Sequence, residues 1–207
     1  MLKPENEDVI LIVDGDDQLA SDDALEKIKN ALLIYGSFSG PSGERSPMCQ
    51  SYSEKVIKNN GFRKAKWHAS HLKTFKYKLY KKLRHDDLVI IKNELEKTLK
   101  KTLLRGQLES WLKWRYIKFQ ELLGPSGEYI RRMDDTVLFY PMLEMASDRA
   151  IYIHDILYIY SGQHVKGKPM TKENKVIPGD HKNKWYGRLI RQVLRNKKSY
   201  KKLDKSF

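Results

Sequence analysis

The stretch Val9-Ile10-Leu11-Ile12-Val13-Asp14-Gly15-Asp16-Asp17 decides how the chain is read. A short, mostly β-branched apolar run stops abruptly at three acids and a glycine. Such a run reads as a strand buried on both faces, the kind found in a parallel α/β sheet. In extended chain, residues two apart point the same way, so Asp14 and Asp16 can converge on one hard divalent cation. Gly15 lets a ligand approach the backbone closely. In open α/β sheets ligands bind beyond the carboxyl ends of the strands, which is where these acids fall. The same residues also fit a plain acidic turn that caps the next helix.

Working outward, Ser21-Asp22-Asp23 reads as the cap of a helix running to about Tyr35, with Ala24, Leu25, Ile28 and Leu32 on its apolar side. Residues 36–43, rich in Gly, Ser and Pro, read as a loop. Ser70 is placed to cap a second helix from His71 to about Leu83. Residues 92–123 carry the strongest helical spacing (Leu95, Leu99, Leu103, then Trp111, Leu112, Tyr116 and Phe119), with Gly106 as the break. Asp135 to Ala146 reads as a helix and Ala150 to Tyr160 as a strand. The tail from about Trp185 to Leu203 reads as a basic helix with Leu189, Ile190, Val193 and Leu194 on one side. The expected class is α/β, with a mainly parallel sheet and helices on its faces.

The composition bounds the function. With 207 residues, 40% hydrophobic and 32% charged, the chain is long enough for a sizeable core and too apolar to be disordered. Its longest apolar run is far short of the roughly 20 residues that span a membrane. Residues 1–8 are polar and acidic, so a secretory leader is not expected and a cytoplasmic site is. Cys49, the lone cysteine, rules out an internal disulfide and a cysteine-based zinc site. Lys and Arg total 40 against 26 Asp and Glu, a net charge of +14. That balance points to polyanionic partners: nucleic acid, an anionic membrane surface or phosphorylated small molecules. The acids gather in the first thirty residues and the bases at the end of the chain, so a cation site facing a basic wall can be built.

Other chemistry-bearing groups each have two readings. Asp134-Asp135 fits a helix start stabilised by the helix dipole, and equally a general base on a cleft rim. His164 and His181 are candidate ligands in loop-like settings, while His71 and His154 read as structural. Trp67, Phe75, Tyr77 and Tyr80 interleave with lysines, as in nucleic-acid binders and also as in ordinary helices with aromatic anchors. Trp111, Trp114 and Tyr116 with Lys113, Arg115 and Lys118 fit a membrane interface or a basic exterior over a packed core.

Taken in order, these pieces resemble inverting family 2 glycosyltransferases of the GT-A type, in the form common in large DNA viruses, phages and bacteria. The matching stretches are EDVILIVDGDDQLA (7–20), IYGSF with the following PSGE (34–44), FRKAKWHASHLKTFKYKL (62–79), DTVLFYPMLEMASDRAIYIHDILYIY (135–160), GDHK (179–182) and LRNKKSYKKL (194–203). The resemblance leaves out about 84–124 and 161–178, and it makes 92–123 a helical insertion into a single domain spanning 1–207. It implies a partial GT-A-like fold and transfer of a sugar from a nucleotide-sugar donor to a glycan, protein or lipid hydroxyl. It assigns Asp14 and Asp16 to the pair that holds Mn2+ or Mg2+ with the donor, Asp17 to the acid that follows, and His181 to the metal shell. Asp135, six residues before Pro141, matches the general base. The segment holding Trp67 and His71 matches one that lies near the donor and acceptor.

Family members carry a further strand, helix and strand before the acid motif, and Asn where Ser161 stands, so on this resemblance the domain is expected to be N-terminally incomplete relative to the family. The alternatives are therefore a catalytically incomplete fragment or subunit of such an enzyme, or a basic nucleic-acid-binding protein. No nucleic acid is expected on the glycosyltransferase reading. The basic helices supply a surface for peripheral membrane or subunit contact. If the source is viral, the expected location is the host cytoplasm.

Overall fold

The computed structural model describes residues 3–15, 17–28, 31–40, 43–89, 92–103, 135–161, 189–204 and 206–207. They fall into two compact units, one from Met1–Leu83, Phe139–Pro169 and Ser199–Phe207, the other from Arg84–Leu138 and Met170–Lys198.

The first unit is built on a five-stranded mixed sheet. Its strands are β1 (Val9–Ile12), β2 (Gln18–Leu19), β3 (Leu33–Ser39), β4 (Lys73–Lys76) and β5 (Ala150–Ile159), in the order β1-β4-β3-β5-β2. Three of the four pairings are antiparallel and only β3–β5 is parallel, so the expectation of a mainly parallel sheet is corrected. β1, β3 and β5 nonetheless run the same way, because β4 reverses direction between β1 and β3. Their carboxyl ends lie together at one end of the sheet.

β1 is an edge strand rather than one covered on both faces. Val9 and Val13 are each 41% exposed, and the residues between them are half-buried. The doubly buried strands are β3 and β4. Residues 21–35 do not form one helix. A single 3-10 turn, Asp22–Ala24, is followed by β3, and Leu25 of the supposed apolar side is 53% exposed. The run Leu32-Leu33-Ile34-Tyr35 is buried on both faces of the sheet, and that burial outweighs the helical spacing before it. β3 extends through Ser39, so residues 36–39 are strand and not loop. Likewise, His71–Leu83 is β4 followed by the one-turn α2 (Tyr77–Tyr80), because Leu72–Phe75 fills the slot between β1 and β3. A further single-turn helix, α1 (Glu54–Lys58), lies in the connection from β3 to β4.

The helix expected over Asp135–Ala146 and the strand over Ala150–Tyr160 form as read: α5 spans Asp135–Ala146, and β5 ends one residue earlier, at Ile159. Within the first unit, Phe139 of α5 meets Phe75 edge-on at 6.0 Å, and Trp67 meets Tyr140 edge-on at 5.0 Å. A second cluster, on the side of Leu72, joins Ala24, Leu157 and Tyr158, with Leu11, Leu19, Phe38 and Tyr160 against it. Glu144, fully buried on α5, accepts from Arg63 Nε at 2.8 Å and from the Tyr200 backbone N–H at 3.0 Å.

The second unit contains α3 (His85–Leu88), α4 (Lys92–Leu103) and α6 (189–196). Leu95 of α4 and Leu189, Ile190, Val193 and Leu194 of α6 are buried, as their spacing predicts. Lys197 donates to the carbonyls of Asp86 and Val89 just past α6. The tail helix stops there and does not run to Leu203. Residues 199–203 are drawn instead onto α5, where Leu203 N–H donates to the Met145 carbonyl. Residues 104–123 of the expected helical insertion lie outside the described residues. No helix among the described residues is long and apolar enough to cross a membrane.

Candidate metal centre

The sheet geometry explains why the acids sit where they do. β1 and β2 are opposite edges of the sheet, yet only Val13–Asp17 connects them. Four flat interstrand spacings amount to about 19 Å, and the six Cα steps from Ile12 to Gln18 reach about 20 Å only when fully extended. The link is not extended: Asp17 N–H donates back to the Asp14 carbonyl at 3.0 Å, closing a turn. The sheet therefore curls, and the acid turn crosses the end where β3 and β5 finish.

At that crossing Asp14, Asp17 and His71 come together, with one ligand atom from each within 4.8 Å of the others. Asp14 is exposed, and Asp17 and His71 are half-buried. His71 arrives by way of β4, whose Lys73 pairs with Ile12 at the carboxyl end of β1. Its ring stacks on Tyr158 at 4.7 Å with a 10° interplanar angle, lies 5.4 Å from Tyr160, and meets Phe38 edge-on. Tyr158 is fully buried, and its hydroxyl accepts from Asp14 N–H at 3.1 Å and donates to Asp17 Oδ2 at 2.7 Å. Asp17 Oδ1 accepts from Ser161 N–H at 2.8 Å. Burial raises the Tyr158 hydroxyl well above its ordinary range. The hydrogen bond to Asp17 and the nearby Asp14 and Asp17 charges push it the same way, against the opposing Asp14 N–H bond. It thus stays a neutral phenol and keeps its proton for Asp17.

No family model, curated protein or solved structure matches this chain.

The donor set fits a divalent cation. Two carboxylates suit Mg2+ or Mn2+, and an imidazole adds a donor suited to first-row transition metals. Donors on opposite sides of a six-coordinate ion with bonds near 2.1 Å are about 4.2 Å apart, so a spread of up to 4.8 Å needs only a small closure.

Of the residues the sequence singles out, the fold brings Asp14 and Asp17 together and adds His71. Asp16 and His181 lie outside the described residues. Trp67 is half-buried against Tyr140. Asp135 is the first residue of α5. Tyr158 escapes sequence reasoning, and Ser161 is marked there only as a departure from the family's Asn, not as a partner of Asp17. They sit at the end of a legible strand, but nothing local marks them as partners of an acid so far away in the chain.

Proposed function

We propose that this chain transfers a sugar from a nucleotide-sugar donor to an acceptor hydroxyl with inversion, assisted by Mn2+ or Mg2+. One observation carries the reading. Two carboxylates from the acid turn and an imidazole from a separate segment meet past the carboxyl end of β1, beside the last residues of β3 and β5, and both carboxylates belong to the acid motif that the resemblance assigns to the metal and diphosphate. The cation, when bound, neutralises the diphosphate leaving group.

Asp14, Asp17 and His71 hold it in this reading, with Asp16 and His181 as further donors on the strength of the resemblance. The same resemblance puts Trp67 and His71 beside the donor. Asp135 takes the proton of the acceptor hydroxyl. The hydroxyl oxygen bonds to the anomeric carbon from the face opposite the diphosphate, whose bond to that carbon breaks. Lysine and arginine side chains help hold the departing negative charge. The acceptor is a glycan, protein or lipid hydroxyl, and the reaction is cytoplasmic.

The test is a thermal-shift panel of nucleotide-diphosphate sugars with and without Mn2+. A ligand at a hundred times its Kd adds about 2.7 kcal/mol, or about 5–10 °C for a chain of this size. The expected result is a Mn2+-dependent shift with one nucleotide class. Absence of any shift across the panel overturns the reading.

A further inference from the structure

One side chain contacts all three residues that carry the candidate donors, Asp14 through its backbone. The Tyr158 hydroxyl accepts from the Asp14 backbone at 3.1 Å and donates to the Asp17 carboxylate at 2.7 Å, while its ring lies flat against the His71 imidazole at 4.7 Å. Tyr158 comes from β5, a different part of the chain from the acid turn and from His71. It is fully buried, whereas Asp14 is exposed. A phenol has one proton to give and lone pairs to accept with, and both are spent here. The proton points at Asp17 Oδ2, and Ser161 N–H occupies Oδ1, so the carboxylate plane is set by two neutral donors. Neither donor cancels the negative charge that a cation needs. The ring lies against the imidazole face, so this contact takes up neither ring nitrogen.

We propose that Tyr158 is the positioning residue that pre-forms the cation site, holding Asp14, Asp17 and His71 in the geometry a divalent ion binds. The proposal rests on the glycosyl-transfer reading only in taking those three residues as metal donors. Groups that orient metal ligands typically govern affinity by 10- to 100-fold. Tyr158→Phe keeps the ring and its packing and deletes only the hydroxyl. Tyr152→Phe is the control: it removes a phenol from the same strand whose partners are Ser37 and the Cys49 carbonyl, away from the acids.

The experiment titrates Mn2+ into the full chain and follows the free aqueous ion by electron paramagnetic resonance, with metal-free melting temperatures measured alongside. The expected result has three parts. Wild type and Tyr152→Phe bind Mn2+ alike, Asp17→Asn loses binding, and Tyr158→Phe binds about 10- to 100-fold more weakly while its metal-free circular dichroism remains that of the folded chain. A merely structural role would lower the melting temperature and leave the affinity of the folded fraction unchanged. Equal Mn2+ affinity in folded Tyr158→Phe and wild type overturns the proposal and leaves the metal-site reading standing. Wild type without Mn2+ affinity, or Asp17→Asn binding as wild type, overturns both. Should Tyr158→Phe not fold, fluorotyrosine at position 158 serves instead. Its fluorine resonance should shift on adding Mg2+ to the wild-type background and stay fixed in Asp17→Asn, and a resonance that ignores Mg2+ in both overturns the proposal.

Discussion

Removing the Glu144 carboxylate should damage the first unit more than any surface change. Glu144 is fully buried, Arg63 is 3% exposed, and they meet at 2.8 Å. The second carboxylate oxygen accepts from Tyr200 N–H, so the same side chain ties the C-terminal segment to α5. Breaking a buried pair by removing one partner typically costs about 3–5 kcal/mol, because the remaining charge stays away from water. The half-buried Tyr200 N–H also loses its acceptor, which adds a smaller penalty of the same kind. Taking about 4 kcal/mol and the 2–4 °C per kcal/mol of a chain this size, Glu144→Ala should lower the melting temperature by about 8–16 °C. Glu144→Gln keeps an acceptor for Tyr200 and should lose about half as much. The double variant Arg63→Met, Glu144→Leu should recover much of the loss, since apolar replacement of a buried pair is often neutral or better. Differential scanning calorimetry measures all three. A loss under about 3 °C in Glu144→Ala, or a double variant as unstable as the single one, refutes the reasoning.

Three other expectations follow from particular groups. Asp135→Asn should lose turnover while keeping Mn2+-dependent nucleotide-sugar binding, and Asp134→Asn should keep most of both; steady-state kinetics decide, and a dead Asp134→Asn shows that the spacing to Pro141 selects the wrong acid. Burial raises the Cys49 thiol from its ordinary 9 to about 11, so native protein should react slowly with a thiol reagent at pH 8–9 and quickly once unfolded. Because the unfolded thiol ionises first, its contribution to stability is lost as pH rises from 9 towards 11, and Cys49→Ser should flatten that limb of a pH–stability curve. Hydrogen bonds from Lys76 and Lys78 hold Glu7 at about 2, below its ordinary 4.5, so the stability from this exposed cluster is present above pH 4.5 and lost as pH falls towards 2. An NMR titration of the Glu7 carboxyl in Lys76→Met should return it towards 4.5.

Sequence alone determined the elements whose pattern and length agree. Ala150–Ile159 is a long β-branched and aromatic run, and Asp135–Ala146 is an apolar helix long enough to be unmistakable. It also determined that an acid turn ends the first strand, because Asp14-Gly15-Asp16-Asp17 halts an apolar run wherever that run is placed. Tertiary structure alone decided the rest. Ala24, Leu25, Ile28 and Leu32 have helical spacing, but the free energy of burying Leu33–Tyr35 between two strands lies in contacts with residues far away in the chain, which no local window contains. The direction of β4 made the sheet mixed, and the antiparallel pairing of Lys73 with Ile12 carried His71 to the acids. Tyr158 became their common partner only because β5 joins β3 in parallel, which turns its carboxyl end towards a turn encoded at the other end of the sequence. Local propensity sets which segments can be strands or helices; cross-strand pairing sets which side chains meet, and the candidate site depends on the second.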